Sequence, residues 1–263
     1  MSSVTIATLV GRRESNTPFS CLTAYDASMA RLAEEAGIDV LLIGDSLGMV
    51  MQGQTSTLPV TVDDIAYHTR CVARVTSRPL IMADLPFMAD TSLSHLLEAS
   101  CTLMQAGAHM IKIEGGAWRH EAIAELTQRG VPVCVHLGLT PQHVNNFGGY
   151  RVQGRDPDDA QRIIDDALDL EQAGAAIVLL ECVPAALAQQ VRDALTVPVI
   201  GIGAGPDVDG QILVIQDMLG MTGEKTPRFV KDFLKGEDSV LEALAAYHEA
   251  VVSRTFPDDE HCF

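Results

Sequence analysis

Four stretches of the chain repeat one pattern of apolar and polar positions. Ala36-Gly37-Ile38-Asp39 leads into Val40-Leu41-Leu42-Ile43-Gly44-Asp45, and Ala106-Gly107-Ala108-His109 leads into Met110-Ile111-Lys112-Ile113-Glu114. Arg129-Gly130-Val131-Pro132 precedes Val133-Cys134-Val135-His136, and Ala173-Gly174-Ala175-Ala176 precedes Ile177-Val178-Leu179-Leu180-Glu181. Each reads as a helix tail stopped at glycine, a short apolar strand, and a polar residue at the strand's exit. Glycine suits the stop because the residue after a helix often adopts a left-handed backbone. The strands are near-continuous apolar runs rather than alternating ones, which is the pattern of parallel strands covered on both faces. Residues 19–23, 80–84, 199–203 and 212–215 complete the series. Pro79, Pro132 and Pro198 stand just before strands, where a missing amide hydrogen does least harm.

Between the strands, residues 27–35, 63–75, 93–104, 120–128, 158–173 and 185–195 carry helical patterns. A short helix near 5–13 precedes the first strand as an N-terminal cap, and two further helices, 228–234 and 239–252, follow the last. Eight strands alternating with helices predict an α/β fold of the (β/α)8 TIM-barrel type. No linker, low-complexity tract or break in composition divides the chain, so residues 1–263 are expected to form one barrel domain. The competing architecture is an open, doubly wound sheet.

Charge narrows the list of partners. The 18 Lys and Arg against 35 Asp and Glu leave a net charge of −17, which argues against nucleic acid and against an anionic membrane. An anionic small substrate stays open, because one lysine or a metal reverses the sign inside a pocket. The six cysteines form no CxxC pair and read as free, partly buried thiols. Arg12-Arg13 is not followed by the apolar core of a secretory signal, and no apolar run approaches the roughly 18 residues of a membrane span. A soluble, cytoplasmic protein is the expectation.

In such a barrel the active site lies at the carboxyl ends of the strands. Asp45, Asp84, Glu114 and Glu181 fall at those exits, His136 falls at a fifth, and Lys112 shares an inward parity with Glu114. One strand-end acid can simply cap the next helix. Several converging acids repel one another and call for a cation. Oxygen donors without His–Cys spacing favour a hard ion, Mg²⁺ ahead of Mn²⁺. Lys112 is either an ion pair inside the barrel or the group that captures a substrate carboxylate beside the metal. His136 is either a buried, hydrogen-bonded ring or part of the site.

Other signals are weaker. Gly201-Ile202-Gly203-Ala204-Gly205 suits close backbone approach better than a phosphate cradle, since it is not GxGxxG. Tyr67-His68 reads as structural, Met49 and Met51 as gap-fillers, and Trp118 as a packing residue or a platform for a flat cofactor.

Longer motifs carry a resemblance. Gly44-Asp45-Ser46-Leu47-Gly48-Met49, Thr57-Leu58-Pro59-Val60-Thr61, Ala83-Asp84-Leu85-Pro86-Phe87-Met88 and Lys112-Ile113-Glu114-Gly115-Gly116 occur in that order. His136-Leu137-Gly138-Leu139-Thr140-Pro141-Gln142, Phe147-Gly148-Gly149-Tyr150, Leu180-Glu181-Cys182-Val183-Pro184 and the Gly201–Gly205 run follow, down to the Phe256-Pro257 and Glu260-His261 tail. Together they resemble the ketopantoate hydroxymethyltransferase family over nearly the whole chain. The resemblance implies a (β/α)8 enzyme that transfers a hydroxymethyl group from 5,10-methylenetetrahydrofolate to 3-methyl-2-oxobutanoate. The product, 2-dehydropantoate, lies on the route to pantothenate and coenzyme A. It further implies that Asp45, Asp84 and Glu114 face Mg²⁺, that Asp45, Ser46, Asp84 and Lys112 contact the oxo acid, and that Glu181 is the base. His136 is placed with the substrate-binding residues, and a homo-oligomer, a decamer, is the implied assembly. Val135 before His136, Val75 after Arg74 and Ser253-Arg254 depart from the family's small residues, and none of these removes a proposed catalytic group.

The chemistry agrees. The C3 hydrogen of a 2-oxo acid is acidic because the ketone can become an enolate, and Mg²⁺ on the ketone and carboxylate oxygens stabilises that charge. The runner-up is a Mg²⁺-dependent 2-oxo acid lyase or mutase, through a more distant resemblance to the phosphoenolpyruvate mutase and isocitrate lyase superfamily. Those enzymes carry a cysteine- or asparagine-bearing gating loop, whereas Glu114 here is followed by Gly115-Gly116-Ala117-Trp118. A non-catalytic, metabolite-binding barrel would lack the acid cluster, which is intact.

Overall fold

The computed structural model describes residues 2–223 and 226–263. Its elements run α1 (Ile6–Glu14), β1 (Phe19–Thr23), α2 (Ala27–Glu35), β2 (Val40–Ile43), α3 (Leu47–Val50), α4 (Val62–Ala73), β3 (Leu80–Asp84) and α5 (Leu93–Gln105). They continue through β4 (Met110–Glu114), α6 (His120–Gln128), β5 (Val133–Gly138), α7 (Val144–Phe147), α8 (Pro157–Gln172), β6 (Ile177–Glu181) and α9 (Ala185–Ala194). The last are β7 (Val199–Ile202), β8 (Gly210–Leu213), α10 (Ile215–Met218) and α11 (Val240–Val252). The strands close in sequence order, β1 to β8 and back to β1, with every pair parallel. This is the expected (β/α)8 barrel, and not an open sheet.

Strand alternation divides the apolar residues between two cores. Phe19, Cys21, Val40, Leu42, Leu80, Met82, Met110, Cys134, Ile177, Leu179, Ile200 and Ile212 pack together as one cluster and fill the barrel, while their neighbours pack under the helices. The interior cluster also contains Leu9 of α1, so that helix plugs the amino-terminal end of the barrel. Helix starts follow their caps. Thr5 and Thr61 form capping boxes for α1 and α4, and Asp26, Ser92 and Ser239 accept backbone hydrogen bonds at α2, α5 and α11.

Two expectations need correction. Residues 228–234 do not form a helix. Asp232 accepts from the amides of Leu234 and Lys235, and the Phe233 amide donates to Met218, so the backbone donors a helix needs are used elsewhere. β8 ends at Leu213, because the Ile215 amide donates to Thr23 Oγ1 and opens α10 instead. Among the described residues the six cysteines are free, and no helix is long and apolar enough to cross a membrane.

Candidate active site

The carboxyl ends of the strands surround a cavity of about 800 Å³, and all seven residues singled out in the sequence line it: Asp45, Ser46, Asp84, Lys112, Glu114, His136 and Glu181. Asp84, Lys112, Glu114, His136 and Glu181 arrive on the inward parity of β3, β4, β5 and β6. Asp45 does not. On β2 that parity belongs to Val40, Leu42 and Gly44, and Asp45 comes in through the turn that opens α3. Gly44 makes this fit, since a Cβ there would lie 2.8 Å from Ser46 Oγ and 3.4 Å from Asp84 Oδ2. Gly138, at a φ of +85°, plays the matching part between β5 and β6, where a Cβ would lie 2.4 Å from the Glu181 carbonyl oxygen.

The acids are held in a chain of contacts. The Asp45 amide donates to Asp84 Oδ2 at 2.8 Å, and Lys112 Nζ pairs with Asp84 Oδ1 at 2.7 Å. Lys112 Nζ also reaches His136 Nδ1 at 3.2 Å, Nδ1 stands 3.5 Å from Glu114 Oε1, and Nε2 faces Glu181 Oε2 at 3.2 Å. His136 is therefore the bridge from the Lys112 and Glu114 side of the mouth to Glu181. Gln142, which the sequence motif contained without a role, completes the set. Its Nε2 donates to Asp45 Oδ2 at 2.9 Å and to the Leu85 carbonyl at 3.0 Å, and its backbone amide donates to Glu114 Oε2 at 3.0 Å. Tyr25, fully buried, shares a 2.8 Å hydrogen bond with Ser46 Oγ.

Burial and charge set the protonation states. Desolvation, then the Asp84 and Glu114 charges, push the Asp45 carboxyl well above the usual carboxylate range. Burial alone would lower the Lys112 pKa, but Asp84, Glu114 and Asp45 outweigh it and raise it, so the ammonium stays charged. Burial likewise works against the charged form of Glu114, yet His136, Lys112 and the Gln142 amide hold it below the ordinary value. Burial and Lys112 lower the His136 pKa, while Glu114 and Glu181 carry it up to about 9. The protonated ring is the one the two glutamates favour; the neutral ring accepts from Lys112 at Nδ1 and turns Nε2–H toward Glu181.

Among the described residues, no three His, Cys, Asp or Glu side chains already form a metal cage, and Asp84 Oδ1 is paired with Lys112 Nζ. The donors nonetheless suit a hard cation. Buried Asp84 Oδ1 and Glu114 Oε1 accept no hydrogen bond, the first being met by the Lys112 charge instead. The side chains outside the cluster sort themselves plainly. Trp118 is 65% exposed, stacks on Arg119 and does not line the mouth cavity. Met49 and Met51 are exposed at the rim, which corrects their reading as gap-fillers. His68 is structural, with Nδ1 bonded to the Tyr25 carbonyl at 2.6 Å. The Gly201–Gly205 run does serve close approach, since a Cβ on Gly205 would lie 2.4 Å from Ala185 Cβ.

Known proteins share both this sequence and this fold. A 3-methyl-2-oxobutanoate hydroxymethyltransferase of Chromohalobacter salexigens is 63% identical, with 100% of each chain covered. One from Marinobacter nauticus is 57% identical, with 99% of each covered. Among solved structures, a phosphonopyruvate hydrolase superposes with a TM-score of 0.63 at 17% identity over 84% of each chain, a likeness of fold alone. Residues 3–259 match the family described as ketopantoate hydroxymethyltransferase, and the chain belongs to that family.

Proposed function

We propose that the chain transfers a hydroxymethyl group from 5,10-methylenetetrahydrofolate to 3-methyl-2-oxobutanoate, giving 2-dehydropantoate, and that it does so as one barrel domain spanning residues 1–263. The observation that carries this reading is the layout of the mouth: a buried ammonium among three carboxylates on one side, and Glu181, open to the cavity and facing the His136 ring, on the other. Asp45, Asp84 and Glu114 would hold Mg²⁺, which when bound supplies positive charge to the ketone and carboxylate oxygens of the oxo acid. Lys112 Nζ offsets the substrate carboxylate, and Ser46, fixed by Tyr25, supplies a hydroxyl beside it.

Glu181 takes the C3 proton. The C–H bond breaks, its electron pair becomes the C2–C3 double bond, the C2=O π pair moves onto the ketone oxygen, and the proton rests on the Glu181 carboxylate. His136 Nε2, 3.2 Å away, sets the ring's charge beside that carboxylate. C3 then bonds to the one-carbon unit of the folate as its two methylene–nitrogen bonds break, water supplies the hydroxyl oxygen, and the proton held by Glu181 and one proton of that water pass to the folate nitrogens as tetrahydrofolate leaves. Assembly as a homo-oligomer, a decamer, in the cytoplasm is part of the same proposal, and sedimentation tests the assembly.

Proton removal needs the oxo acid and the base but no folate. Proton NMR in deuterated buffer with Mg²⁺ should therefore show loss of the C3 signal without folate, and chelation should stop it. Glu181→Gln should slow that exchange by at least about a hundredfold while oxo-acid affinity is retained. Exchange at the parent rate would move the base elsewhere, with His136 next.

A further inference from the structure

One wall of the mouth cavity has no part in the proton chemistry. It is built by α10 and the segments that meet it, on the β8 side of the barrel. Asp217 and Gln216 line the cavity there side by side, and so do Met49, Met221 and Phe229. Asp217 is half-buried, and Thr222 Oγ1 donates to its Oδ1 at 2.6 Å. Gln216 is poorly satisfied: its Nε2 reaches the Met51 thioether at 3.4 Å, a weak acceptor, and its buried Oε1 has no partner. Tyr150 behaves alike, with its hydroxyl on Met49 Sδ at 3.5 Å. Three methionines stand exposed at this rim, Met49 at 38%, Met51 at 44% and Met221 at 63%. Thioether side chains are apolar and adaptable, and they suit the faces of a flat ring.

The wall thus offers a carboxylate acceptor, an amide with an unused oxygen beside it, and soft apolar surfaces around both. A ligand that fits presents two adjacent N–H donors and a further polar edge on a flat heterocycle. The 2-amino-4-oxo pyrimidine edge of a pterin has that character: its N3–H and 2-amino group match one carboxylate, and the rest of its edge carries donors and acceptors for an amide. We infer that this wall is the pterin subsite of the one-carbon donor, with Asp217 accepting from N3–H and the 2-amino group and Gln216 meeting the adjoining edge. The inference rests on the folate-donor reading above. The placement suits transfer, since β8 adjoins β1 and β1 adjoins β2, whose exit carries Asp45 and Ser46. Tyr25, two residues past the end of β1, carries the hydroxyl bonded to Ser46 at 2.8 Å and so joins the exits of β1 and β2. The ring would lie directly beside the bound oxo acid.

The test separates the two half-reactions. Asp217→Asn keeps the shape but turns an N–H group toward the ring's donors, and Gln216→Met keeps the length and removes the amide. With parent and variant enzymes, the KM for 5,10-methylenetetrahydrofolate and the folate-free C3 exchange of the oxo acid are measured side by side. Asp217→Asn should raise the folate KM at least about tenfold, and Gln216→Met should raise it several-fold, because hydrogen bonds to a charged group are lost in the first case and neutral ones in the second. Exchange should stay near the parent rate in both. A folate KM within twofold of the parent in both variants, or exchange falling in step with it, overturns the subsite. A parent enzyme that exchanges C3 hydrogen yet makes no product with the folate overturns the donor reading itself, and the subsite with it.

Discussion

Gln142 shows how much of the site depends on one residue that does no chemistry. Its side-chain amide holds Asp45, its backbone amide holds Glu114, and it is buried at 7% exposure, so its geometry is copied into two carboxylates from opposite sides of the cluster. Gln142→Leu keeps the backbone bond to Glu114 and removes the donor to Asp45 Oδ2. Asp45, already biased toward its neutral form by burial, should then drift further from the ionised state a cation needs. The expected outcome is a fall of about tenfold in Mg²⁺-dependent affinity for the oxo acid, read by calorimetry. Unchanged affinity would reduce Gln142 to a packing residue. Strand alternation made Lys112 and Glu114 legible as inward-facing partners. No such period exists in the turn that carries Gln142, nor in the one that brings in Asp45, so only the position of Asp45 at a strand exit betrayed it.

Helix α11 shows which elements the sequence revealed and which it hid. Its expected span, 239–252, matches the observed Val240–Val252 with Ser239 as cap, and it packs across the β1–β8 seam, where the buried Tyr247 hydroxyl reaches the carbonyls of Cys21 and Gln211 at 2.8 and 2.9 Å. The stretch just before it misled, because Phe229, Val230 and Phe233 have helical spacing while Asp232 captures the local amides and Phe233 bonds back to Met218. Local spacing cannot report a donor spent on a distant carbonyl. The same helix carries a pH dependence. His248 Nδ1 is 2.8 Å from Ser20 Oγ, and burial lowers the ring's pKa below its usual 6.5, with Asp39 pulling the other way. The unfolded chain therefore takes up the proton first as pH falls, so stability is held above about 6.5 and lost on descent toward the folded value. Melting curves between pH 7 and 5 should fall less steeply for His248→Gln than for the parent. Parallel curves would leave the ring without this role.

Across the whole molecule, the two ends of the barrel divide the work. The carboxyl-terminal mouth gathers acids that repel one another, and the opposite end pairs its buried acids Asp39 and Asp209 with arginines. Asp39, entirely buried before β2, takes Arg12 and Arg78 at 2.7 Å each and the Ser20 amide at 3.2 Å. Asp209, before β8, takes Arg13 at 2.6 Å and Arg192 at 2.8 Å. Successive arginines of α1 thus tie that helix to acids flanking β1 on both sides. In the sequence Arg12-Arg13 spoke only against a secretory signal, and only barrel closure brings residue 13 to residue 209. Charged pairs buried this deeply add little over an apolar substitute, yet breaking one leaves a guanidinium stranded. Asp39→Asn removes the charge while keeping the shape, and should cost about 3–5 kcal/mol. For a chain of this length that is a fall of about 10 °C in Tm. Because the barrel's amino-terminal face carries stability and its carboxyl-terminal face carries the site, the KM values for the proposed oxo-acid and folate substrates should stay at the parent level well below the new Tm. A Tm shift under about 2 °C, or a changed KM, would show that the two ends are not independent.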